Sequence, residues 1–383
     1  MIGRQFYRVR GAFLLIGISS LLIACSLPTP EYETQTPTIE HESQKPTTEH
    51  EDQTPTAEHQ NPIPTMKEPL ITNLYTADPS AHVFDDKLYL YPSHDLDNDS
   101  ASSREGDQFN MVDYHIFSLE NMQTPVTDHG QALHIEDVPW AQKQMWAPDA
   151  AYKDGTYYFY FPAKDKDDIF RIGVATSDSP AGPFVAQPEP ISGSFSIDPA
   201  VFVDDDDQAY IYFGGLWGGQ LERWRTGSYD ENGTEPAAGE PALGPKIARL
   251  TDDMLEFDGP IQEITILDEE GNPLLAKDTT RRFFEGAWVH KYNGLYYLSY
   301  STGDTHYLVY ATSESPTGPF QFQGRLLEPV LGWTTHHSIV EFQGKWYLFY
   351  HDSELSDGVT HKRNIKYVEL QYEADGSIPT IEP

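Results

Sequence analysis

The sequence predicts an all-β protein built as a five-bladed β-propeller, and three observations carry that prediction. From Ile71 onward no long window has helical periodicity, while short runs of Val, Ile, Tyr and Phe recur between Gly, Asp, Asn and Pro clusters. Five segments repeat one pattern of strand, tight turn and aromatic strand: residues 82–93, 150–163, 200–215, 287–302 and 338–352. A ten-residue piece, Ala175 to Phe184 (ATSDSPAGPF), returns 136 residues later as Ala311 to Phe320 (ATSESPTGPF). Gaps of 69, 52, 87 and 50 residues between the turn centres leave room for a four-stranded sheet in each unit. Five such sheets around one axis make a propeller. A β-sandwich would explain the hairpins but not five recurrences of one pattern.

The chain of 383 residues begins with an address. Arg4, Arg8 and Arg10 precede the apolar run Gly11 to Ala24, which is shorter than the ~20 residues a membrane span requires. The run ends Leu22-Ile23-Ala24-Cys25, similar to a bacterial lipobox, in which the Cys is acylated and becomes the mature N-terminus. This is the only Cys, which excludes an internal disulfide framework and any CxxC metal or redox site. Residues 1–25 therefore read as a lipoprotein signal peptide, and the expected location is lipid-anchored to the bacterial cell envelope, at the outer membrane or cell surface. Residues 26–70 hold eight Pro, nine Thr and nine acidic residues against two Lys, with little to bury. They read as a disordered tether, stiffened by Pro and extended by like charge. Its His41, His50 and His59 sit in a nine-residue repeat and read as solvated.

Residues 71–383 are the expected propeller domain. Lys153-Asp154-Gly155, Tyr292-Asn293-Gly294 and Gln343-Gly344 supply the positive-φ residues that tight hairpins require. The formal charge of −35, from 25 basic and 60 acidic residues, opposes a phosphate backbone and makes nucleic acid an unsuitable partner. Aromatic residues, at 13%, pack twisted sheets and can also stack on sugar faces.

In a propeller the first strand of each blade lines the central channel, so chemistry is expected where those strands begin. Counted back from the turn centres, Asp198 and Glu285 stand nine residues upstream and Asp78 eight; Trp146 and Thr335 hold the corresponding places in the other two units. Asp-Pro is a common turn starter, which is the plainer reading of Asp78-Pro79 and Asp198-Pro199. Glu285 lies among Phe283, Phe284, Ala287 and Trp288, where burial should raise its pKa as a general acid needs. Paired carboxylates with Tyr and Trp walls suit glycoside hydrolysis.

In this order, Ala77-Asp78-Pro79, Trp146-Ala147-Pro148-Asp149, Ser196-Ile197-Asp198-Pro199-Ala200 and Phe284-Glu285-Gly286-Ala287-Trp288 resemble glycoside hydrolase family 43, five-bladed propellers acting on xylans and arabinans. The resemblance spans roughly residues 72–370. It implies an inverting hydrolase with Asp78 as general base, Glu285 as general acid, and Asp198 orienting the acid and tuning its pKa. It favours a β-xylosidase, with α-L-arabinofuranosidase next and endo-arabinanase after it, acting on an oligosaccharide or polysaccharide. It places Trp146 as a sugar platform and Arg363 near the sugar or a catalytic carboxylate. It also places His337 toward the channel, beside a structural Ca2+ where one is bound. The chemistry requires no cofactor. Plainer readings accompany these: a packed blade residue for Trp146, a surface Arg for Arg363, a backbone-satisfied core His for His337. Asp95, Asp97 and Asp99 read as a long loop over the channel mouth. Two other functions stand against this reading. A non-catalytic glycan-binding propeller has no need of three carboxylates, and a retaining fructan-active enzyme would want an Asn in place of Ala77.

Overall fold

The computed structural model describes residues 68–333 and 336–383; Cys25 and its signal sequence, most of the tether and Thr335 lie outside the described residues. Among the described residues, twenty strands form five sheets. The first holds β1 (Tyr75–Phe84), β2 (Lys87–Asp95), β3 (Asp113–Leu119) and β4 (Thr127–His134). The second holds β5 (Asp149–Lys153), β6 (Thr156–Lys164), β7 (Phe170–Ser177) and β8 (Val185–Ala186). The third holds β9 (Ala200–Val203), β10 (Ala209–Phe213), β11 (Lys246–Arg249) and β12 (Gln262–Glu263). In the fourth, β13 (Ile266–Leu267) joins the outer edge of β14 (Glu285–Tyr292), β15 (Leu295–Ser301), β16 (Leu308–Ser313) and β17 (Phe320–Leu327). The fifth has three strands, β18 (His337–Phe342), β19 (Lys345–Asp352) and β20 (Asn364–Leu370).

The first strands close a ring: β1 touches β5, β5 touches β9, β9 touches β14, β14 touches β18, and β18 returns to β1. A sandwich has no such circuit, so the molecule is a five-bladed propeller. Apolar clusters fill the wedges between blades, among them Tyr91, Tyr114 and Phe159 between the first and second and Leu90, Phe342 and Phe349 between the fifth and first. Most of the aromatic excess is spent here: Tyr91, Tyr114, Tyr160, Tyr212, Tyr297, Tyr300 and Tyr350 are all fully buried.

The hairpins follow from their turns. Asp85-Asp86, Asp154-Gly155, Asn293-Gly294 and Gln343-Gly344 each place two successive residues at positive φ, matching the twist of the flanking strands. The third hairpin differs, because five residues separate Val203 from its partner Ala209. The repeated ten-residue piece is an interblade clamp. Tyr91 donates to the Pro180 carbonyl at 2.7 Å and Tyr212 to the Pro316 carbonyl at 2.8 Å, so one device joins the first blade to the second and the third to the fourth.

Candidate active site

The backbone, before any side chain, decides where the acids meet. In β1 a bulge separates the pairs Ala77–Ser93 and Ser80–Tyr91; in β14 the same bulge separates Glu285–Ser301 from Trp288–Ser299. Extra residues in a bulge bend the strand and re-aim its side chains. Matched on these ladders, Asp78, Ala147, Asp198, Gly286 and His336 occupy one position per blade. Asp78, Asp198 and Gly286 all have positive φ there, at 50°, 57° and 66°. Glu285 belongs one residue earlier, with Trp146 and Ile197. Counting from the turns had grouped Glu285 with Asp198; the longer third hairpin shifted that count by one.

These two rings open on a cavity of about 440 Å³ lined by Asp78, Asp198, Glu285, His336, Trp146 and Arg363, among others. Three acids from blades one, three and four thus share one hollow. Each is buried, with 4–8% of its surface exposed. Asp78 receives the Ser93 hydroxyl at 2.7 Å on one oxygen and the Arg363 guanidinium at 2.9 Å on the other. Its own N–H donates to His351 Nδ1 at 3.0 Å. Asp198 accepts the Gly286 N–H at 3.0 Å, which ties it to the residue after Glu285.

Their electrostatics diverge. Burial alone would raise Asp78, but the Arg363 guanidinium and the nearby His336 outweigh it and hold the carboxyl far below the usual range. For Glu285, burial pushes the pKa upward and the adjacent Asp198 charge adds to the push. Asp198 is also raised, mainly by burial, against the pull of His336. Burial would lower His336, yet the charges of Asp198, Asp78 and Glu285 raise it to about 9, so it is a cation among the acids. Ionised Asp78 and protonated Glu285 therefore face the same space at neutral pH, with the Asp198 charge beside the acid. That is the pairing acid–base hydrolysis of an acetal requires.

A model of glycosyl hydrolases family 43 matches residues 66–378. The chain belongs to that family. A xylosidase/arabinosidase of Humicola insolens is 63% identical over 82% of this chain and 99% of its own length. One from Bacteroides ovatus is 56% identical over 82% and 98%. A β-xylosidase/α-arabinofuranosidase from a compost metagenome, solved in complex with xylotriose in a calcium-free form, superposes with a TM-score of 0.82 at 63% identity. It covers 82% of this chain and 97% of that one.

Arg363 of this family 43 hydrolase lies against Asp78, next to a carboxylate as the resemblance implied, while several other residues stand elsewhere than the sequence reading put them. Arg363 is no surface side chain: it forks onto both oxygens of Asp95 at 2.8 Å and reaches Asp78 with its third nitrogen. Asp95 is accordingly the buried end of β2 rather than part of a loop over the mouth, while Asp97 and Asp99 are exposed beside Lys362. His337 does not line the cavity. It is buried with Nε2 on the Ser299 hydroxyl at 2.6 Å, and the imidazole facing the acids is that of His336, since neighbouring side chains on a strand point to opposite faces. Gly286 makes room for it: a Cβ there would lie 2.9 Å from the His336 ring. Asp149, which closes the Trp-Ala-Pro-Asp motif, is a fully buried hub taking the Ser80 hydroxyl, His82 and the Val201 N–H from the blades on either side.

Trp146 lines the cavity, anchored by its Nε1–H on the Phe109 carbonyl at 2.7 Å. Trp217 and Trp333, stacked at 5.9 Å, form a further aromatic wall that the sequence reading missed. Arg104 lies 4.1 Å over the Trp217 ring. The signal available was the length between the third and fourth hairpins, which exceeds what one blade needs. His337 fits a calcium cage poorly. Its Nδ1 has no hydrogen-bond partner, but it offers one nitrogen where Ca2+ takes six to eight oxygens, and it belongs to no group of three His, Cys, Asp or Glu donors among the described residues.

Proposed function

We propose that the protein is an inverting exo-acting β-xylosidase that releases xylose from the ends of xylo-oligosaccharides, with α-L-arabinofuranosidase as its second activity. The carrying observation is the division of protons in one cavity. Asp78, held ionised by Arg363, takes a proton from water as that water attacks the anomeric carbon. Glu285, held protonated by burial and by Asp198, gives its proton to the departing glycosidic oxygen. The water's hydroxyl then sits on the anomeric carbon from the face opposite the leaving group, and the two carboxyls have exchanged protonation states. Asp198 touches the backbone at Gly286 and acts through Glu285. Pentose substrates are supported by the names of relatives that match over almost their whole length. End-on action is supported by the rim: residues 102–109 of the first blade, Leu216 to Gly219 of the third and Trp333 of the fifth surround the acids.

The test is a panel of nitrophenyl xylosides and arabinosides and short xylo-oligosaccharides, with proton NMR of the first-formed sugar. A β-xyloside yielding α-xylose first fits inversion; β-xylose first would assign a retaining path. No hydrolysis of any member would return the molecule to a binding role. We also propose that Cys25 carries lipid and holds the propeller at the cell envelope. Palmitate labelling of the wild type that is abolished in Cys25→Ala supports this, and equal labelling refutes it.

A further inference from the structure

Away from the cavity, the first blade gathers metal-binding side chains that hydrolysis does not use. His94 is near the end of β2, Asp113 and His115 open β3, and Asp128 lies on β4. His94 Nδ1 stands 2.7 Å from one oxygen of Asp113, and His115 Nε2 stands 3.8 Å from the other. The two imidazoles meet edge to face with centroids 5.1 Å apart. One donor atom from each of the three residues lies within 4.8 Å of the others. His115 Nδ1 is also 3.5 Å from Asp128.

We propose that His94, Asp113 and His115 form a binding site for a divalent transition-metal cation of the Zn2+ class, which staples β2 to β3. The donor set selects the ion: two imidazole nitrogens and one carboxylate suit Zn2+ and its neighbours, whereas Ca2+ and Mg2+ want oxygens. Tetrahedral Zn2+ with bonds of about 2.0–2.2 Å needs donor atoms roughly 3.3–3.5 Å apart. His94 Nδ1 and His115 Nε2 stand 2.7 and 3.8 Å from the two oxygens of Asp113, and with all three donors within 4.8 Å of one another, side-chain rotations would bring them to that spacing. Side-chain exposures of 16%, 10% and 19% leave an entrance and room for a fourth ligand, water or Asp128.

The backbone shows what a staple would do. Pairing between β2 and β3 ends at Leu90 and Phe117, and Pro92 has no N–H with which to extend it. Beyond that point a cation would bridge the strand ends through side chains. A hydrogen bond alone explains His94 on Asp113, but not a second imidazole at the other oxygen. The residue after His94 is Asp95, which positions Arg363 on Asp78, so the staple would steady the strand behind the base.

The experiment is calorimetric titration of ZnCl2 into the metal-stripped chain, in a background where His41, His50 and His59 are Ala so that the tether cannot supply ligands. The expected result is one Zn2+ per chain, a raised unfolding temperature on binding, and an affinity loss of at least about tenfold in His115→Ala and in Asp113→Asn. Should Asp113→Asn fail to fold, His115→Ala decides, because that ring is part-exposed and outside the active site. The proposal is overturned by no binding up to about 100 μM Zn2+, or by His115→Ala binding as tightly as its parent.

Discussion

Asp78 and Glu285 differ less in chemistry than in neighbours. Asp78 has a guanidinium at 2.9 Å, itself fixed on Asp95, while Glu285 has a second acid beside it. The active form needs Asp78 without its proton and Glu285 with one, so the acid limb of the rate profile should fall well below the ordinary carboxylate range and the alkaline limb should follow Glu285, above it. Asp198 is raised less than Glu285 and ionises first; its charge then keeps the proton on Glu285. Asp198→Asn removes that charge. Its alkaline limb should move to lower pH, measured as kcat/KM against pH on a nitrophenyl xyloside, whereas a role confined to packing would lower the plateau and leave the limb in place. Glu285→Gln should cut kcat on xylobiose by roughly 10²–10⁴-fold and cost much less on a nitrophenyl xyloside, whose leaving group needs little protonation. Asp78→Asn should impair both substrates alike.

The hairpins were legible because each carries its own turn chemistry and an aromatic second strand, properties local to about a dozen residues. What escaped was set by register. The third hairpin's longer loop shifted Asp198 out of register and grouped it with Glu285, and His337 was preferred to His336 because sequence does not say which neighbour on a strand faces inward. Asp95 could not be paired with Arg363, 268 residues away, until the ring closed. The duplicated ten-residue piece could be seen but not interpreted; its work is done by a hydroxyl from the preceding blade. Tyr91→Phe and Tyr212→Phe should each lower stability by about 1 kcal/mol in urea unfolding. The two sites lie in different wedges, so the double variant should lose the sum. A double variant no worse than either single would mean the clamps are not independent.

Closure is the property that no single blade has. Each wedge is packed from two sides, so the first blade depends on the fifth as much as on the second, and the molecule should unfold in one transition. The C-terminal tail extends this packing. Ile378 and Ile381 are buried against Leu326, Leu327 and Tyr310, and Ile381 exchanges backbone hydrogen bonds with Leu326 and Glu328 at 3.0 Å. Tyr297 adds a bond to the Gly376 carbonyl and Tyr310 accepts the Ile378 N–H. Deleting residues 376–383 exposes two Ile side chains worth about 1.5–3 kcal/mol each, enough to lower the midpoint markedly without unfolding a domain of this size at 25 °C. The tail lies on β17, three strands out from the β14 that carries Glu285, so hydrolysis per folded molecule should survive the deletion. Circular dichroism and tryptophan fluorescence should then report one shared transition at lower urea. Two separate transitions would mean that the fourth and fifth blades can open while the rest of the ring stands, and that closure couples the blades less tightly than their shared wedges imply.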